Sequence, residues 1–188
     1  MRIFKYILIT LSVIVLASCQ NKDIDYDAIY EENYSDIEYV ESDNLYDICD
    51  GVEDGEKISF EIEYAYEYEN LAEMIDAKDA KFMYGEIYKI EYFNCISNNA
   101  YLMVYDSEFN EESRNLIRIS ITDDVVLNLN EQYILNLVYN EEYDVYFLSQ
   151  VNDSIIYVDS AETLSGVFLT DDYPKNLKGF LGEVFDKE

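Results

Sequence analysis

From residue 58 to residue 69 the chain alternates without a break. Ile58, Phe60, Ile62, Tyr64, Tyr66 and Tyr68 fall on one side, and Ser59, Glu61, Glu63, Ala65, Glu67 and Glu69 on the other. A period of two sends these sets to opposite faces of an extended strand, one suited to a core and one to water. Shorter segments of the same kind follow at 101–105, 116–122, 133–139, 143–149 and 155–158. The hairpin signal Asn140-Glu141-Glu142 separates two of them. Strands this short and this numerous specify a mainly β domain.

Between them, residues 83–93 are apolar and aromatic, but the alternation slips at Tyr88-Lys89 and includes Gly85. A slip beside a glycine predicts a bulged, sharply bent strand, the device by which a small sheet closes on itself. Asn70 reads as the cap of a short helix carrying Leu71, Met74 and Ile75 on one side. A second short helix is expected near the end. Pro174 would stand in its first turn, with Leu177, Leu181, Val184 and Phe185 on its apolar side. The expected architecture is a small OB-like β-barrel with one or two short helices, over residues 48–188.

Ahead of it, residues 20–47 are acidic nearly throughout, with Lys22 the lone cation. Such a composition buries too little surface to offset ordering entropy, so 19–47 is expected to be a flexible acidic tether. Tyr26, Tyr30, Tyr34 and Ile37 do fall at helical spacing, which leaves a weak docking helix as the alternative.

The first residues carry Arg2 and Lys5, then an apolar run from Tyr6 to Ala17. The run is shorter than the ~18 residues a spanning helix needs and suits a signal peptide over 1–18. It closes on Leu16-Ala17-Ser18-Cys19, which resembles the lipobox of bacterial lipoproteins. The resemblance implies that Cys19 takes a lipid by thioether linkage, with acyl chains such as palmitate, and becomes the first residue of a membrane-anchored extracytoplasmic protein. The alternative is an ordinary secretory signal that happens to end at a Cys. Cys49 and Cys95 then form an even pair in an exported chain, either bridged or acting as two separate small apolar residues.

Two further segments support a family resemblance. Y-G-E-I-Y-K-I at 84–90, following a helix, and L-N-E-Q-Y-I-L-N-L at 129–137 are similar to the OB-fold barrels of the netrin/tissue-inhibitor-of-metalloproteinase-like group. The resemblance implies a fold and no functional residue, because this chain lacks the N-terminal Cys cluster through which those inhibitors act.

Chemistry is limited by what is missing. The chain has no His, which removes Ser-His-Asp and Cys-His catalysis and His-ligated zinc or haem. Its six Gly never cluster into a phosphate-cradling loop, and no cofactor is implied. Asp50 to Glu61 follows a calcium-loop spacing only in part, since Val52 takes a ligand position, and no metal site is assigned. A formal net charge of −29 repels nucleic acid. It favours a basic protein or peptide, or a neutral glycan, unless the charge only keeps the body in solution. Glu61, Glu63, Glu67 and Glu69 on the solvent side of the first strand, and Tyr64, Tyr66 and Tyr68 on the other, are the candidate partner-binding residues. The expected function is a non-catalytic binding or interaction module. The alternative is an envelope hydrolase using two of the many carboxylates.

Overall fold

A computed structural model describes residues 24–38, 67–92, 97–108, 114–122, 125–150 and 153–185. In chain order its elements are α1 (Tyr26–Tyr34), α2 (Leu71–Asp76), β1 (Ala80–Tyr92), β2 (Ser97–Ser107), β3 (Leu116–Thr122), β4 (Gln132–Asn140), β5 (Val145–Leu148), β6 (Ile155–Val158), β7 (Leu164–Gly166) and α3 (Leu177–Val184).

The strands join in the order β1-β2-β3-β5-β4, and β1 pairs with β4 as well, which closes a five-stranded OB-like barrel. Closure depends on β1 serving two neighbours. Its first half, from Ala80 to Glu86, lies against β4, while Met83 to Tyr92 lie against β2. A flat strand cannot do both. The register against β2 slips between Tyr84 and Gly85 and again between Ile87 and Lys89, where the alternation breaks in the sequence. Gly85 is required at the first slip, because a Cβ there would stand 2.1 Å from the backbone oxygen of Met103.

All barrel pairings are antiparallel except β3 with β5, joined at Ile119–Tyr146 and Ser120–Phe147. The tight turn after β4 folds β5 back. Asn140 Oδ1 accepts from the backbone N–H groups of Glu142 and Tyr143, and Asp144 takes a positive φ of 47°. β6 and then β7 extend the sheet beyond β4.

Alternation sorts the apolar side chains into two layers. Met83, Ile87, Leu102, Ile117, Ile119, Leu135, Leu137 and Leu148 fill the barrel. On the outside of β1, β4 and β6, Phe82, Ile134, Ile156 and Val158 meet Leu71 and Met74 of α2 and Leu177, Phe180 and Val184 of α3. Full burial of each large side chain contributes on the order of 2 kcal/mol. Phe82 and Phe180 meet edge to face, 6.2 Å between centroids. Among the described residues no helix is long and apolar enough to cross a membrane.

Several details correct the sequence expectations. Pro174 precedes α3 instead of opening it. Asn176 is the cap, its side chain accepting from Gly179 N–H at 2.9 Å, so the helix starts at Leu177. Phe180, not expected on the apolar side, is fully buried. The three-residue β7 was not expected, being too short to display a period. Residues 67–69, expected to end the first strand, lead instead into α2. Asn70 Oδ1 accepts from Glu73 N–H at 3.1 Å and Glu73 Oε2 accepts from Glu69 N–H at 2.9 Å, which ends extended structure there. The rest of that expected strand lies outside the described residues.

Candidate functional site

The outer face of β1–β2–β3 is where the fold departs most from a self-contained barrel. On β2, Ala100 and Leu102 point inward, so Tyr101 and Met103 point out. Tyr88 of β1 and Leu116 of β3 share that outer face. Tyr101 is nevertheless fully buried, because α1 lies across it.

α1 comes from the segment expected to be a tether, and residues 26–37 correct that expectation. The acidic composition is confined to one side. Glu31 and Glu32 face water and Asp27 lies at the rim, while Tyr26, Ile29, Tyr30, Tyr34 and Ile37 repeat every three or four residues against the barrel. Asp25 caps the helix, accepting from Ala28 N–H at 3.0 Å. Isolated, so short a helix is marginal, so its order derives from docking. Residues 19–23 and 39–47 lie outside the described residues.

The contact is aromatic at its centre and polar at its rim. Tyr30 meets Tyr101 edge to face at 5.0 Å, and Tyr34 meets it at 5.1 Å. The Tyr34 hydroxyl donates to the Leu116 carbonyl at 3.2 Å. The Tyr30 hydroxyl donates to Glu91 at 2.5 Å, and Glu91 also pairs with Lys89 at 2.7 Å. The Lys89 ammonium stands 3.8 Å from the Tyr30 ring centroid. The Tyr88 hydroxyl donates to Asp27. Burial, then the bond to Glu91, pushes the Tyr30 phenol up to about 12. For Tyr88 the bond to Asp27 is the larger cause, again giving about 12. Both phenols are therefore neutral donors at physiological pH.

Next to α1 the face continues into the half-buried Tyr84 and the exposed Tyr105. Tyr84 and Tyr105 meet edge to face at 5.5 Å, and their hydroxyls donate to Gln132 at 2.8 Å and Glu86 at 3.0 Å. These groups stack and hydrogen-bond; none is an activated nucleophile. No protein-family model, curated protein or solved structure matches this chain.

Of the residues singled out in the sequence, Cys19, Cys49, Cys95, Glu61, Glu63, Tyr64 and Tyr66 lie outside the described residues, as does the calcium-loop-like stretch 50–61. Glu67 and Glu69 are exposed, but in the approach to α2 instead of along a strand. Tyr68 is half-buried. It packs against the second apolar layer, and its backbone N–H donates to Gln150 Oε1 at 2.8 Å. The aromatic face was partly legible: the Tyr26-Tyr30-Tyr34-Ile37 spacing marks α1, and the parity of β2 turns Tyr101 outward.

A second charged cluster sits at the β4–β5 turn. Tyr139 donates to Asp144 at 2.6 Å, Arg114 pairs with the same carboxylate at 2.6 Å, and Arg118 donates to the Tyr143 carbonyl at 2.5 Å. The Tyr139 and Arg114 bonds hold Asp144 below the usual carboxylate range, the wrong direction for a general acid. The cluster secures the turn that carries β5 to β3.

Proposed function

We propose that this protein is a lipid-anchored extracytoplasmic binding module, acting without catalysis through the outer face of β1–β2–β3. The observation that carries the reading is the apolar seat of Tyr88, Tyr101 and Met103 on the wall of a closed OB-like barrel, covered by α1 and flanked by the half-buried Tyr84 and the exposed Tyr105. OB barrels bind chain-like ligands on the strand 2–3 face. The strong negative charge favours a basic protein or peptide or a neutral glycan as partner.

The lipobox supports the address. With lipid on Cys19, the chain from Cys19 to the α1 cap at Asp25 spans only about 20 Å at full extension. A docked α1 therefore holds the barrel close to the membrane surface, with two acyl chains giving a lasting anchor. The test has two arms. Intact mass and detergent-phase partition of the expressed protein should report a lipid that Cys19→Ser removes; a free Cys19 thiol overturns the anchor. Capture from envelope extract with the barrel should depend on Tyr84 and Tyr105, and capture unchanged by their replacement with Ala overturns the binding face.

A further inference from the structure

We infer that α1 is a releasable occupant of the β1–β2–β3 face, holding the place of an external helix that carries aromatics four residues apart and a basic outer side. The inference rests on reading this face as the binding surface.

The face is built to be covered. Farther along β3 the outward positions are Arg118, Ser120 and Thr122, as suits a wall in water, whereas Tyr88, Tyr101, Met103 and Leu116 present a contiguous apolar seat. What fits the seat is shown by what occupies it: Tyr30 and Tyr34, four apart, both edging onto Tyr101.

The present occupant suits that seat poorly in charge. α1 has no basic residue in its last turn, and it presents Glu31 and Glu32 on a chain with net charge −29. Its neighbours Glu86 and Glu91 are acidic too, and Lys89, which pairs with Glu91, also stands over the Tyr30 ring. A helix with the same tyrosines and basic residues outward keeps every aromatic contact and replaces repulsion with attraction.

The experiment uses the mature chain made as Cys19→Ser, beside the same chain with Tyr30→Ala and Tyr34→Ala. The probes are two labelled peptides covering residues 24–38, one of native sequence and one with Glu31, Glu32 and Asp36 changed to Lys. Binding is read by fluorescence anisotropy. Both peptides should bind the double variant at least about tenfold more tightly than the parent, as expected when the seat is filled at least nine-tenths of the time. The basic peptide should bind more tightly than the native one at low salt, with the gap closing as salt rises.

Equal affinity for parent and variant overturns the occupancy, and equal affinity of the two peptides overturns the basic partner. Should the double variant lose its barrel melting transition, Asp25→Ala, which removes only the helix cap, takes its place, with an expected tightening of about twofold to fivefold. Amide exchange in the parent gives an independent check. Residues 26–34 should exchange at least about tenfold faster than β1–β3, through local opening; equal protection overturns release. These results do not depend on the lipid or on extract capture, so failure here and failure of the proposed function are told apart.

Discussion

The rings of Tyr30 and Tyr101 meet edge to face, 5.0 Å between centroids and 82° between planes. A residue of the acidic N-terminal segment thereby shares an aromatic contact with the barrel wall, and Tyr101 is buried as deeply as the barrel interior. Tyr101→Ala should cost about 3 kcal/mol in urea denaturation, from lost burial and the cavity beneath α1. Tyr143→Ala, 61% exposed, should stay within about 0.5 kcal/mol. Equal effects of the two would show that α1 does not seal Tyr101.

Gly85→Ala tests the bend that closes the barrel. The added methyl meets backbone atoms of Met103 that cannot swing away, so β1 and β2 must part. The expected loss is about 2–3 kcal/mol, read as a lower denaturation midpoint with unchanged slope. A neutral substitution would mean that the strands are not so close at this point.

The tyrosines on and under α1 make its docking sensitive to alkali. Tyr30 and Tyr88 titrate near 12 in the folded protein, above the ~10 of an unfolded phenol. An acid whose folded value is raised contributes stability that is complete below the unfolded value and is lost as pH climbs through the folded one. α1 should therefore stay docked to about pH 10 and release towards about pH 12. Phenolate absorbance should show a set of late-titrating groups that loses one member in Tyr30→Phe. If Tyr30 ionises together with the exposed tyrosines, its bond to Glu91 is not formed in solution.

A polar chain is sealed beneath the second apolar layer. Gln150 N–H donates to Ser154 Oγ at 2.6 Å, the two serine hydroxyls lie 2.8 Å apart, and Ser149 Oγ donates to Asn136 Oδ1 at 2.5 Å. Asn136, Ser149 and Ser154 are all fully buried. Ser149→Ala breaks the middle of the chain and leaves acceptor and donor unpaired, which should cost about 1–3 kcal/mol. Thermal melting beside Ser165→Ala, an exposed serine on β7, measures it; matching shifts would show that the chain contributes nothing.

Much of the barrel was legible because its cues are local. Strands at 116–122 and 155–158 appear with the expected bounds, and the bend of β1 falls where Gly85 and Tyr88-Lys89 interrupt the period. The Asn70 cap also formed as read. Pro174 misled, because its fixed φ suits a helix start equally well three residues before the true one, and the Asn176 side chain made the choice.

The sequence by itself determined the period of each strand and which side chains share a face, since alternation follows from backbone geometry alone. It also determined that any helix through Tyr26, Tyr30 and Tyr34 would be tyrosine on one side and acid on the other. Tertiary structure alone decided that β1 would pair with both β2 and β4, and that β5 would run parallel to β3. It alone decided that α1 would lie on Tyr101. Those outcomes depend on surfaces assembled from residues far apart in the chain. No local window carries the energy of burying Tyr30 against Tyr101, because neither residue loses its water until the barrel that brings them together has closed.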